Sequence, residues 1–183
     1  LLSDSIDFEI KHTEDREPLE DLDSLPYVSK VYEKYLNFDD YAYAFAQKPM
    51  IQIVSSRGCP NQCNFCSYPS TMGGRIYRTR SVSDLADEFE YILNELPEIK
   101  EIFIEDDTFT ANKKRVMEVC SLLVERKLNK RLRWLCNARV NLDLETMLAM
   151  KKAGCRLIIP GIESGSQQIL DNIKKGTKVE QFQ

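Results

Sequence analysis

The stretch Arg57-Gly58-Cys59-Pro60-Asn61-Gln62-Cys63-Asn64-Phe65-Cys66 constrains this chain more than any other, because three thiols follow one another there at spacings of four and then three residues. Cysteines crowded into a turn-rich loop read as a metal site: thiolates hold iron–sulfur clusters, and Gly58 and Pro60 suit a backbone that folds around an inorganic group. Ferredoxin runs use two-residue gaps and supply a fourth cysteine, whereas here the first gap is three residues and no fourth thiol is near. A cluster held by three thiolates leaves one iron open to a substrate or cofactor, which suits catalysis better than electron storage. The competing reading is a zinc knuckle or plain structural thiols. Zinc takes four ligands, yet the one histidine, His12, lies in a remote acidic segment, and Cys120, Cys136 and Cys155 fall in expected helices or strands, where they read as small buried hydrophobes.

The order Cys-x-x-x-Cys-x-aromatic-Cys, with Phe65 before the last cysteine, resembles the signature of the radical S-adenosylmethionine (SAM) enzymes. The resemblance implies a 4Fe-4S cluster on Cys59, Cys63 and Cys66, with SAM chelating the fourth iron through its amino and carboxylate groups. It also implies that Phe65 packs beside the adenine.

A chain of 183 residues, 43% of them hydrophobic, can bury one good core. It starts at Leu1 and ends at Gln183 inside what reads as a new helical start, so the expectation is a fragment of a longer protein. No apolar run approaches the roughly 20 residues that span a bilayer. Six cysteines, three of them in one loop, fit a reducing cytoplasm better than a disulfide framework. The net charge of −4 argues against nucleic acid as a partner. Residues 1–24 hold nine acids and two bases, and such a block reads as a solvated linker or surface strap.

Residues 1–48 show no sustained period and are punctuated by Pro18 and Pro26, as a connector would be. Its second half is rich in aromatics, among them Tyr27, Tyr32, Tyr35, Phe38, Tyr41, Tyr43 and Phe45, which are expected to pack against a neighbour. From residue 49 the pattern changes to alternating strands and helices. Ile51–Val54 is a β-branched run that leads into the cysteine loop. Ser81 and Asp84 open a helix whose apolar face is Leu85, Phe89, Ile92, Leu93 and Leu96, and Pro97 stops it. Glu101–Glu105 is the second strand, Val116, Val119, Cys120 and Leu123 mark a second helix, and Leu132–Cys136 is the third strand. Asp143 caps a helix that ends at Gly154, Cys155–Ile159 is the fourth strand, and a short helix spans about Ser166–Ile173. Strands each followed by a helix make a parallel α/β sheet with right-handed crossovers. Periodicity leaves an open sheet and a barrel equally available. The resemblance selects an incomplete (β/α) barrel of about four units, 49–183, following the irregular N-terminal connector 1–48 that leads from an upstream domain.

In a (β/α) barrel the chemistry sits past the strand ends. Those ends carry Glu105-Asp106-Asp107-Thr108, Asn137-Ala138-Arg139 and Gly161-Ile162-Glu163-Ser164-Gly165. Consecutive carboxylates repel unless cations or donors gather. Asp106 and Asp107 occupy the place where the resemblance puts the acceptors of the methionyl ammonium; the alternative is a carboxylate pair at a helix N-terminus. Arg139 carries a donor fork for a carboxylate, with a surface ion pair as the alternative, and Glu163 can accept two ribose hydroxyls or else cap the helix at Ser166. Gly161 and Gly165 would let the backbone approach a nucleoside. The run Gly73–Arg80 offers a basic face for a phosphate or acidic substrate, or an ordinary solvated surface. No side chain is assigned a catalytic part.

The strings Phe103-Ile104-Glu105-Asp106-Asp107-Thr108-Phe109, Cys136-Asn137-Ala138-Arg139 and Gly161-Ile162-Glu163-Ser164-Gly165-Ser166 are similar to those of the class of radical SAM enzymes with a cobalamin-binding domain. Within it, Leu25-Pro26-Tyr27-Val28 and the stretch Met72–Ser81 are most similar to hopanoid-biosynthesis-associated members. The resemblance implies a 5′-deoxyadenosyl radical acting on an unreactive carbon of a small, lipid-like substrate. It implies an electron donor such as flavodoxin or ferredoxin, and cobalamin only in the full-length parent. A non-catalytic iron–sulfur or zinc scaffold and a radical enzyme that never uses cobalamin are the alternatives.

Overall fold

A computed structural model describes residues 13–14, 16–71 and 74–182. Most of the acidic segment, including His12 and Asp15, and the Met72-Gly73 pair of the basic stretch lie outside the described residues.

The elements follow one another as helix α1 (Val28–Tyr35), strands β1 (Met50–Ile53) and β2 (Ser56–Arg57), helix α2 (Tyr68–Thr71), β3 (Arg78–Thr79), α3 (Val82–Glu95), β4 (Glu101–Ile104), α4 (Lys113–Glu125), β5 (Arg133–Ala138), α5 (Leu144–Lys152), β6 (Cys155–Pro160) and α6 (Gln167–Asn172). Four strands form one parallel sheet in the order β1-β4-β5-β6, with Ile51 opposite Ile102, Ile102 opposite Trp134, and Cys136 opposite Ile158. This is the parallel α/β arrangement that the alternation of strands and helices predicts, and it is consistent with the partial barrel that the resemblance implies.

The helix boundaries follow local chemistry. Ser81 accepts from the Asp84 N–H, Asn112 from Arg115 and Asp143 from Thr146, so each long helix starts on a side-chain cap. Gly154, at φ +96°, turns the chain from α5 into β6 where an L side chain would be strained. One face of the sheet, carrying Ile51, Ile53, Ile102, Ile104, Trp134 and Cys136, packs on Leu85, Phe89, Ile92, Val116, Val119 and Leu123 of α3 and α4. The other face buries a smaller apolar cluster of Met50, Phe103 and Leu135, with Leu157 and Ile159 against it.

Two features depart from the pattern expected of the sequence. The connector is not wholly irregular, since Val28–Tyr35 is helical. Its two turns carry no side-chain cap, and only Val28 and Tyr32 pack on the core while Val31 and Tyr35 face out, which is too short a stripe to declare a period. The second is a two-stranded antiparallel ribbon, β2 with β3, which closes the cysteine loop by pairing Ser56 with Thr79 and Arg57 with Arg78. The connector's aromatics do pack in part: Tyr43 lies 5.0 Å from Phe103 between ring centroids, whereas Tyr35 and Phe45 stay exposed. Asp23, from the acidic strap, accepts the Ser81 N–H at 2.8 Å beside the start of α3.

Candidate functional site

The cysteine loop leaves β1, runs along β2 and returns through α2, and its turns are held by backbone bonds. Cys59 N–H donates to Gly74 O at 3.1 Å, Asn64 N–H donates to Ile173 O at 3.1 Å, and the Asn64 amide donates to Asn172 O at 2.9 Å. The loop is thereby tied to the far end of α6, more than a hundred residues on. Gly58 sits at φ +86°, a conformation that a side chain disfavours. The Cys59 sulfur is 3.2 Å from the Asn61 amide and 3.6 Å from the Thr108 hydroxyl.

All three thiols are free and line one cavity of about 250 Å³ at the C-terminal ends of the parallel strands. Phe65, Asp107, Thr108, Asn137, Arg139, Gly161, Glu163 and Lys175 are also in its wall. Among the described residues no three His, Cys, Asp or Glu side chains gather round a single ion. The three thiols share the lining of that cavity, and thiolates are the ligands an iron–sulfur cluster takes.

The structure divides the carboxylate pair. Asp106 does not face the cavity: it is 1% exposed and its two oxygens accept from the N–H and hydroxyl groups of Ser55 and Ser56. Those four donors fill a carboxylate's acceptor sites, leaving nothing for a ligand ammonium. Asp107 does line the cavity, where it accepts from Gly58 N–H at 3.1 Å. Burial pushes the Asp107 carboxyl above the usual range, and the Gly58 N–H and the Arg57 charge pull it back. Neither residue caps α4, whose cap is Asn112.

Arg139 reaches the cavity, but its guanidinium donates to the Lys175 carbonyl. Glu163, held at φ +65°, accepts from Lys175 Nζ at 2.8 Å and does not cap α6. A Cβ at Gly161 would come within 2.8 Å of that ammonium, so the bare backbone there makes room for the ion pair, whereas at Gly165 a Cβ would meet nothing within 4 Å. Phe65 is 54% exposed on the cavity rim with Lys175 Nζ 5.9 Å from its ring centre. Lys175, which lines the cavity and pairs with Glu163, is not evident as a site residue from the sequence. Its only signal was a lysine before Gly176, just past a short helix, whose φ of +67° brings the chain back to the site.

The arginines of the basic run bond within the chain: Arg75 donates to Asn61 O and Arg78 to Leu19 O at the surface, while the buried Arg80 donates to Asp84, Glu88 and Val54 O. Cys120 and Cys136 are buried on the helix side of the sheet. Burial pushes the Cys120 thiol up to about 12 and Cys136 also upward, which keeps both protonated, and Cys155 is half-buried beside them.

This geometry can be set beside known proteins. The sequence profile of the Radical SAM superfamily matches residues 53–183. The chain belongs to that superfamily. It is 39% identical over 134 residues to an uncharacterized methyltransferase of Pyrococcus horikoshii, a match covering 73% of this chain and 28% of that protein. It is 32% identical over 130 residues to the hopanoid C-3 methylase of Methylococcus capsulatus, covering 69% of this chain and 24% of that one. Among solved structures it resembles the cobalamin-dependent SAM radical enzyme OxsB, with aqua-cobalamin and SAM bound, at 26% identity and a TM-score of 0.63 over 72% of this chain and 21% of that one. The chain thus spans about a quarter of the length of the curated relatives it matches. Radical SAM proteins are enzymes that use a 4Fe-4S cluster and SAM, and cobalamin-dependent members are among this chain's relatives.

Proposed function

We propose that this chain is the core of a radical SAM enzyme that holds a 4Fe-4S cluster on Cys59, Cys63 and Cys66, binds SAM in the cavity those thiols line, and generates a 5′-deoxyadenosyl radical there. The observation that carries this reading is the single cavity at the strand ends shared by three free thiols, a carboxylate, a guanidinium and an ion pair. When bound, the cluster and SAM supply an electron and a cleavable sulfonium, which is chemistry the side chains lack. The chain's own residues orient and shield. Asp107 accepts the methionyl ammonium, Phe65 stacks beside the adenine, and Glu163 accepts the ribose hydroxyls once Lys175 yields to them. Arg139 holds the Lys175 backbone in place, and Ala138, Ile159 and Pro160 give the cavity an apolar side that keeps water from the reacting carbon.

In this reading residues 1–48 connect an upstream domain to a barrel that begins at residue 49, and cobalamin belongs to that upstream domain. The substrate is a small molecule with an unreactive carbon; the 32% identity to a hopanoid C-3 methylase supports a lipid-like one. A flavodoxin- or ferredoxin-type protein delivers the electron. The free cysteines suit the reducing cytoplasm, and among the described residues no helix is long and apolar enough to cross a membrane.

Anaerobic reconstitution tests the reading: it should give about four irons and four sulfides per chain, followed by saturable SAM binding. Zinc without acid-labile sulfide would favour a metal scaffold instead.

A further inference from the structure

We infer that Asp106 is a positioning residue for the cluster-binding loop, acting through Ser55 and Ser56 on the placement of Cys59. This rests on the reading of Cys59, Cys63 and Cys66 as cluster ligands. The β1–β4 ladder ends where Glu105 N–H donates to Ile53 O at 2.8 Å, and beyond that bond the two chains part. One runs through Ser55, Ser56 and Gly58 to Cys59, and the other through Asp106, Asp107 and Thr108. Ladder bonds no longer join them, so side chains do.

Asp106 Oδ1 accepts from Ser55 N at 2.6 Å and Ser56 N at 2.9 Å, and Oδ2 accepts from Ser55 Oγ and Ser56 Oγ at 2.6 Å each. Asp107 Oδ2 takes the Gly58 N–H, and the Thr108 hydroxyl stands 3.6 Å from the Cys59 sulfur. Three consecutive residues of one strand end thus meet the loop stepwise up to its first thiol. Arg115 of α4 locks the clamp from behind, donating to Ser55 O at 3.1 Å and Ser55 Oγ at 3.3 Å. A buried carboxylate with four donors is rigid because each donor would be costly to leave unpaired. The apolar face of the sheet packs without those four bonds, which run to the start of the loop.

The test is the rate at which a chelator removes iron from the reconstituted protein. Asp106→Ala strands four donors and should speed iron release at least about tenfold, the kinetic equivalent of one lost charge-assisted bond. Asp106→Asn should stay within about threefold of wild type, because its oxygen can accept both N–H groups and its amide can donate to both hydroxyls. Val119→Ala, destabilised in the core away from the loop, should leave the release rate within about twofold, which a general loss of stability would not. If Asp106→Ala fails to fold, Ser56→Ala removes one donor and should give an acceleration of about threefold or more. Release at the wild-type rate in Asp106→Ala or Ser56→Ala, or equal acceleration in Val119→Ala, overturns the inference. A wild type that takes up no iron would instead bring down the cluster reading, and with it the role assigned to the clamp.

Discussion

The two faces of the four-stranded sheet are built on different terms. Under the helices, Ile51, Ile53, Ile102, Ile104, Trp134 and Cys136 are each no more than 2% exposed and share one core with the apolar faces of α3 and α4. On the opposite face the apolar layer thins to Met50, Phe103 and Leu135. It is edged by the Glu101–Arg156 ion pair at 2.6 Å and by Glu105, whose carboxyl is pushed upward by burial against hydrogen bonds from Asn137 and Gln52. Apolar burial is concentrated on the first face, whereas the candidate chemistry lies along the rim of the second, where a strand end has few apolar neighbours and polar groups stay available.

The largest effect expected to divide the two is all-or-none. Cys59→Ala, Cys63→Ala or Cys66→Ala should abolish the reconstituted cluster's visible absorbance, while Cys120→Ala, on the helix-covered face, should leave it intact. Equal loss in all four variants would erase the distinction.

Next in size are three perturbations of folding. Trp134→Ala removes a fully buried indole whose N–H donates to Ala153 O at 2.9 Å, and should cost about 3–5 kcal/mol in denaturant unfolding. Leu157→Ala, half-buried on the opposite face, should cost about 1 kcal/mol. Similar losses would mean that both faces bear stability alike. Arg80→Met strands Glu88, which is wholly buried and also accepts from Ser29 N–H and Oγ, so about 3–5 kcal/mol is expected, with α1 loosened from the core. A cost under about 1 kcal/mol would show that Glu88 is not held there as a charge.

The smallest effect lies at the solvent edge. Lys113 and the Thr146 N–H hold the Asp143 carboxyl down at about 2, below its unfolded value of about 3.9. Because the folded value is the lower one, this contribution is complete above pH 4 and fades as the pH falls towards 2. Wild type and Asp143→Asn should therefore differ slightly in melting temperature at pH 7 and converge near pH 2. A constant difference would assign the effect to the cap alone.

The helix-covered face was legible because its partners are local. Ser81, Asp143 and Gly154 marked helix ends, and the apolar period of Leu85, Phe89 and Ile92 declared which side is buried. The three thiols were legible by type and spacing. The division of labour between Asp106 and Asp107 was not, because adjacent residues point to opposite sides and sequence carries no sign of which one Ser55 and Ser56 would claim. Lys175 escaped for a related reason, since its proximity to Glu163 depends on how Gly161 and Gly176 fold the chain between them.

The central claim is that the rim cavity holds a cluster with one iron open to SAM. Its most direct test is the electron paramagnetic resonance spectrum of the reduced, reconstituted protein with and without SAM. Coordination by nitrogen and oxygen alters one iron, so the account predicts a changed spectrum on SAM addition. Identical spectra, with SAM present at a concentration shown to saturate binding, would contradict it.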